Sequence, residues 1–122
     1  MISKKILLAH LSCGPLILII TSIFKKYPPK NINSLYGYRT IRSIKNQDIW
    51  QTANTISAKY LFQASLATTI FQTFGIGSRY KGTDYILYSY IFLIISIGAS
   101  IWITEARLNQ LFDKQGKRLN KK

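Results

Sequence analysis

The sequence predicts an all-α integral membrane protein with three transmembrane helices and an ordered cytoplasmic loop between helices 1 and 2. Hydrophobic residues make up 48% of the 122-residue chain, and they gather in long stretches that carry no charge. The lysines and arginines, which give the chain a net charge of +13, lie at the flanks of those stretches. Soluble proteins spread charge more evenly, so this segregation is typical of a membrane protein. The length allows a single membrane domain, residues 1–122.

The first predicted span covers Ile6 to Phe24, nineteen residues without a charge. A helix needs about 20 such residues to cross the hydrocarbon of a bilayer. Gly14 and Pro15 lie inside it, and we expect a kink there, because membrane helices tolerate these residues when neighbouring helices satisfy the freed carbonyls. A cleaved secretory signal is the alternative, since two lysines precede the run. However, the run continues past Cys13, and the residues before that cysteine match a lipoprotein cleavage box poorly.

The other two predicted spans differ in strength. The third, Tyr85 to Thr104, is strongly apolar and has tyrosines at one end and Trp102 at the other, as in an aromatic belt. The second, Tyr60 to Gly77, carries no charge but contains glutamines and hydroxyl residues. Its polar side chains recur at helical spacing, so we expect them to share one face and to bond neighbouring helices. They are Ser65, Thr68, Thr69 and Gln72.

The basic residues predict an orientation. With three spans, the N-terminus and the connection between spans 2 and 3 share a side that holds four basic residues: Lys4, Lys5, Arg79 and Lys81. The opposite side holds twelve: Lys25, Lys26, Lys30, Arg39, Arg42, Lys45, Arg107, Lys114, Lys117, Arg118, Lys121 and Lys122. The positive-inside rule therefore places the loop 25–59 and the basic tail 105–122 in the cytoplasm of a bacterial inner-membrane protein, with the N-terminus outside.

The loop between spans 1 and 2 contains several turn and capping signals. Gly37 stands between Tyr36 and Tyr38 and permits a backbone turn, with the tyrosines at headgroup level. Asn46 is a good helix cap, and the helix that it opens continues through Trp50 into span 2. We expect Trp50 to anchor the chain at the membrane interface.

The loop and the end of span 3 resemble the SdpI family of small bacterial membrane proteins. The loop matches the family pattern at Asn33, Gly37, Tyr38, Arg39, Thr40, Ser43, Asn46, Trp50 and Asn54. The end of span 3 matches it at Thr104, Glu105, Leu108 and Phe112. The resemblance covers residue 30 to the C-terminus.

The resemblance implies a function and partners. The name-giving member of the family protects its cell from a secreted peptide toxin and holds a transcriptional repressor at the membrane. By resemblance, we expect an immunity protein in the lipid bilayer, with a peptide toxin and a repressor, or another membrane protein, as partners. The alternative is a small structural or accessory subunit of a larger membrane complex. The oligomeric state is left open.

Two arginines of the loop and the glutamate at the end of span 3 raise a more specific expectation. Glu105 ends span 3 on the side from which Arg39 and Arg42 leave the loop. A half-buried carboxylate is costly unless it is paired, and a guanidinium group is a forked, permanently charged partner. We therefore expect the loop to form a cap over the bundle, with Arg39, or else Arg42, hydrogen-bonded to Glu105. The alternatives are a solvated carboxylate and arginines that recognise a toxin, a repressor or a lipid phosphate.

The sequence contains no pattern typical of an enzyme. It has no phosphate-binding glycine loop and no paired intramembrane carboxylates, so we expect no catalytic group and no cofactor. His10 and Cys13 lie three residues apart on one helix, but two ligands do not make a metal site. The basic charge also fits nucleic acid, yet its position beside the spans favours the membrane, and we expect no direct nucleic-acid binding.

The predicted orientation can be tested with a topology reporter. Alkaline phosphatase folds only outside the cytoplasm, so a fusion after Lys122 should be inactive. Activity of that fusion, or cleavage of the loop 25–45 by protease added from outside, would reverse the orientation.

Overall fold

The structure is a computed structural model that describes residues 4–76 and 82–120. Over those two ranges every regular element is a helix, apart from one isolated bridge between Phe112 and Arg118. The predicted all-α class is therefore confirmed. The connection predicted between spans 2 and 3, with its two basic residues, lies largely outside the described residues, as do the last two lysines of the tail.

Three long helices make up most of the described chain. Helix α1 is Lys4–Lys26, α2 is Gln47–Ile76 and α3 is Gly82–Leu111. Helix α1 is continuous through Pro15. Helix α3 extends past Thr104, where the third span was predicted to end, so the first part of the predicted tail is helical.

Helix α2 begins where the sequence predicts. The side-chain oxygen of Asn46 accepts a hydrogen bond from the backbone N–H of Ile49 at 2.9 Å, which satisfies one of the free donors of the first turn. Asp48 lies in that turn, where the helix dipole favours a negative charge.

Polar side chains join the helices into an up-down-up bundle. The hydroxyls of Thr21 and Ser65 are 2.7 Å apart, and the Gly14 N–H donates to Gln72 Oε1 at 2.9 Å, so α1 and α2 are antiparallel. The Ser100 hydroxyl donates to the Tyr60 carbonyl at 3.2 Å and links α3 to α2. Most of the predicted polar face of α2 is buried, namely Ser65, Thr68 and Gln72. Ser65 and Gln72 bond α1 as expected, whereas the hydroxyls of Thr68 and Thr69 donate to carbonyls of α2 itself.

Two of the three helices are long and apolar enough to cross a membrane: Lys4–Lys26 and Asp84–Leu111. Their outward faces expose large apolar side chains, among them Leu8, Ile94 and Trp102, which is 73% exposed. Such surfaces are costly in water and suit contact with lipid. Helix α2 does not meet the same criterion of length and composition, so its role as a span stays a prediction.

The main buried apolar cluster lies at one end of the bundle. It joins the end of α1, the start of α2, the end of α3 and the intervening loop, and consists of Phe24, Tyr38, Ile49, Ala53, Ala58, Leu108 and Phe112. The two segments that cover this end are the loop 27–46 and the turn 112–119, which we call the cap. The core thus fixes the cap on the helices.

Candidate functional site

The cap begins with a close approach between the loop and α2 at Gly37. Its φ is +118°, a conformation that side chains rarely allow. A Cβ atom there would also lie 2.6 Å from Asn54 Oδ1 and 2.7 Å from Pro29 Cγ. Both the backbone conformation and the space therefore require glycine at this position.

Two buried side chains of α2 hold the loop in place. Asn54 Oδ1 accepts a hydrogen bond from the Tyr38 N–H at 2.6 Å, and its Nδ2 donates to the Trp50 carbonyl at 2.8 Å. Trp50 is fully buried, and its indole N–H donates to the Pro29 carbonyl at 3.1 Å. The prediction that Trp50 anchors the chain at the membrane interface is therefore wrong, because the loop covers its ring.

The residues after Gly37 form a turn that is closed by Ser43. The Ser43 hydroxyl accepts from the Thr40 N–H at 2.8 Å and lies 2.9 Å from the Tyr38 carbonyl, to which it donates. The Ser43 N–H donates to Thr40 Oγ1 at 3.1 Å. Since Ser43 is completely buried, this exchange leaves its polar atoms satisfied and fixes the directions of the Tyr38 and Thr40 side chains.

Those two side chains converge on Glu105. Its Oε1 atom accepts a hydrogen bond from the Tyr38 hydroxyl at 2.7 Å and another from the Thr40 hydroxyl at 3.0 Å. Glu105 belongs to α3 and is half-buried, so this pair of bonds ties the loop to α3. Charged acceptors shorten and strengthen such bonds.

The prediction that Arg39 or Arg42 is hydrogen-bonded to Glu105 is wrong. Arg39 donates through Nη1 to the Ser34 carbonyl at 2.8 Å. Arg42 donates through Nη2 to the Phe112 carbonyl at 3.0 Å, and its Nη1 bonds Asn109. Because α3 runs beyond Glu105, Arg42 bonds carbonyls at the C-terminal end of that helix, while two hydroxyls bond the carboxylate.

The start of the loop is ordered locally. Asn33 Oδ1 accepts hydrogen bonds from the N–H groups of Leu35 at 3.0 Å and Tyr36 at 2.7 Å. The Tyr36 hydroxyl donates to the Tyr27 carbonyl at 2.8 Å. Asn33 and Tyr36 therefore both order the backbone that leads into Gly37.

The turn 112–119 folds back onto the start of α2. Gly116 has a φ of +88°, and its carbonyl accepts from Asn46 Nδ2 at 2.8 Å. Arg118 Nη2 lies 2.6 Å from Asp48 Oδ1. The contact between Arg118 and Asp48 was not predicted from the sequence, although Asp113 followed by Gly116 three residues later is a turn signal.

The Arg118 contact affects the acidity of Asp48 but adds little stability. Its hydrogen bond to Arg118 holds the pKa of the Asp48 carboxyl below the ordinary value. The contribution is thus present at neutral pH and is lost as the pH falls through the lowered pKa. Both side chains are about half exposed, and solvent screens an exposed ion pair, so its contribution to stability is small.

The surface of the cap carries exposed apolar side chains and a cavity. Within residues 4–76 and 82–120, no three His, Cys, Asp or Glu side chains are grouped as metal ligands. The outer face of the cap presents the almost fully exposed Leu35 and Ile41, at 94% and 93%. A cavity of about 750 Å³ lies beside Ile41 between Thr40, Glu105 and Asn109.

The Tyr38 contact predicts a specific response to alkaline pH. Burial first, and then the hydrogen bond and the negative charge of Glu105, raise the pKa of Tyr38 well above its ordinary value. An unfolded tyrosine loses its proton at about pH 10, so the stabilisation by Tyr38 should diminish above that pH. The free-energy difference in unfolding between the wild type and Tyr38→Phe, measured in micelles by denaturant titration, should shrink between about pH 8 and about pH 11.

Thr40→Val is the matched control for this measurement. It removes the other hydroxyl on the same carboxylate oxygen but no titrating group, so its difference from the wild type should change little. A Tyr38→Phe difference that stays constant or grows with pH would contradict the contact.

Comparison with known proteins places the chain in a family. The model of the SdpI/YfhL protein family matches residues 30–105. The chain is 35% identical over 103 residues to the protein of Bacillus subtilis (strain 168) that is named Uncharacterized protein YfhL, covering 84% of this chain and 88% of that one. No solved structure matches the chain significantly. The matched region contains the loop, α2 and the span up to Glu105, and the chain belongs to the SdpI/YfhL family.

Proposed function

We propose that this membrane protein protects its cell against a secreted peptide toxin, as the resemblance to SdpI implies. One observation supports it most: the residues that carry the resemblance converge on one cap instead of being scattered through the bundle. Asn54, Tyr38, Thr40 and Glu105 form a continuous chain of hydrogen bonds. A fixed cap at the cytoplasmic membrane surface suits the recognition of a peptide that has inserted into the bilayer and reached that side.

The proposed role in protection also specifies how the protein lies in the membrane. In the proposal all three helices cross the bacterial inner membrane, with the N-terminus outside and the cap in the cytoplasm. Helix α2 is polar, but Ser65 and Gln72 bond Thr21 and Gly14 of α1 inside the bundle. Polar side chains that are satisfied between helices are compatible with a membrane span.

The outer face of the cap is the proposed recognition surface. It combines the exposed apolar side chains of Leu35 and Ile41 with nearby basic residues such as Lys45. The same face is the proposed attachment site of a repressor, if the protein also signals. Neither role requires a catalytic group, and we propose that the protein is not an enzyme.

The subunit alternative rests on the polar face of α2. That face is largely occupied inside the bundle, where Ser65 contacts Thr21 and Gln72 contacts both Gly14 and His10. It therefore needs no further protein partner to satisfy it, which favours the protection role.

Deletion of the gene tests the proposal. Cells without the protein should become more sensitive than the parent to at least one peptide secreted by the host or its neighbours, and re-expression should restore resistance. Survival equal to that of the parent against every such peptide would contradict protection and favour the subunit role.

Surface variants then locate the activity. Leu35→Ser and Ile41→Ser alter exposed side chains, so the protein should still fold and accumulate in the membrane. If the exposed apolar side chains of the loop recognise the toxin, at least one of these variants should lose resistance, whereas Leu119→Ser, an exposed change in the turn 112–119, should retain it. Full resistance of both loop variants would exclude this face.

A further inference from the structure

A groove opens between α1 and α3 directly below the loop. Its volume is about 420 Å³, within the range of roughly 300–1,000 Å³ that ligand pockets occupy. Most of its walls are apolar: Ile20 and Phe24 of α1, Ile97 and Ile101 of α3, and Leu61 of α2. The groove is therefore suited to a hydrocarbon chain.

The position of the groove relates it to the membrane surface. Ile20 and Phe24 belong to the last turns of the uncharged run of α1, and two lysines follow at once. The apolar part of the groove thus lies at the end of the hydrocarbon region, while the loop that roofs it lies at headgroup depth.

Arg39 lies at the polar end of the same groove. Its side chain is exposed, and its one hydrogen bond to the described residues runs from Nη1 to the Ser34 carbonyl. A guanidinium group has five N–H donors, so four of the Arg39 donors make no hydrogen bond to the described residues. The cap gives it no carboxylate, because Glu105 bonds Tyr38 and Thr40 instead.

We propose that this groove binds one anionic phospholipid of the bilayer, with an acyl chain between α1 and α3 and the phosphate on Arg39. Guanidinium groups bind phosphate oxygens in a forked geometry, and the net charge of +13 favours an anionic headgroup over a zwitterionic one. The lipid reaches the groove from the bilayer itself, because α1 and α3 expose its rim through Ile20 and Ile101, at 51% and 42%. The site goes beyond the protection role and does not depend on it.

The other cavity of the cap is less suited to a phosphate. Arg42 and Lys45, which line it, already bond the carbonyls of Phe112 and Lys114. Glu105 also lines that cavity and would repel an anion. Arg39 is the better phosphate ligand because its contacts leave donors at the mouth of an apolar groove.

Native mass spectrometry of the full chain in detergent micelles tests the site. The protein is mixed with equal amounts of phosphatidylglycerol, phosphatidylcholine and diacylglycerol, which share their acyl chains. We expect one retained phosphatidylglycerol, preferred to either other lipid by roughly tenfold, the change that about 1.4 kcal/mol produces. Soluble glycerol 3-phosphate should not displace it, because that molecule lacks the chain.

Matched variants separate the site from general charge attraction. Arg39→Gln should lose the preference for phosphatidylglycerol, whereas Arg107→Gln removes an exposed arginine of α3 outside the groove and should keep it. Ile20→Trp narrows the groove and should lower retention, while Ile23→Trp, at an exposed position outside it, should not. Thermal unfolding of Arg39→Gln should match the wild type, since its side chain makes one hydrogen bond to the described residues.

Several results would overturn the proposal, three of them from lipid retention. They are unchanged phosphatidylglycerol retention by Arg39→Gln, an equal loss of retention in Arg107→Gln, and equal retention of diacylglycerol or phosphatidylcholine by the wild type. Displacement of the lipid by glycerol 3-phosphate would show a headgroup site without a chain and would equally contradict the groove.

Discussion

The hydrogen bonds that Tyr38 and Thr40 donate to one oxygen of Glu105 hold the loop on the helices at the capped end of the bundle. They join two segments that are far apart in sequence, the loop after α1 and the end of α3. A carboxylate at this depth needs donors, and hydroxyls supply them without placing a second charge in the same environment. The loop can therefore lie closely on the helices.

Further contacts depend on that closure. The backbone between Gly37 and Ser43 must bring both hydroxyls to the carboxylate, which explains the positive φ of Gly37 and the buried bonds of Ser43 and Asn54. Loss of any one partner would leave a buried polar group unsatisfied, at a typical cost of about 1–3 kcal/mol. The residues that match the family pattern are thus joined by hydrogen bonds in the folded protein. The proposed recognition of a peptide and of a lipid uses instead side chains that this network leaves exposed, such as Ile41 and Arg39.

The sequence predicted the helices well, because each depends on local signals. The apolar runs indicated α1 and α3, Asn46 marked the start of α2, and Gln72 was correctly assigned to a helix–helix contact. The motif also identified Glu105 and the residues near it. Those signals act within one helix or between adjacent turns, so they can be recognised in the sequence before the fold is known.

The predictions that failed concern competition between partners. Charge favoured Arg39 beside Glu105, but the path of the loop brings Tyr38 and Thr40 there and turns Arg39 toward Ser34. Arg42 was drawn to carbonyls at the end of α3, whose extension past Glu105 the span prediction did not include. Trp50 and the Arg118–Asp48 contact depend on segments that meet only in the folded protein.

Hydrogen exchange of the loop amides tests the central claim, that the loop is a fixed part of the bundle, most directly. The N–H of Tyr38 bonds Asn54 and that of Thr40 bonds Ser43, so both should exchange slowly in the membrane-embedded protein. Replacing Glu105 with alanine should speed both, while the Ile49 N–H, which bonds Asn46 at the start of α2, should be less affected. Exchange of the Tyr38 and Thr40 amides in the wild type as fast as in an unstructured peptide would contradict the account.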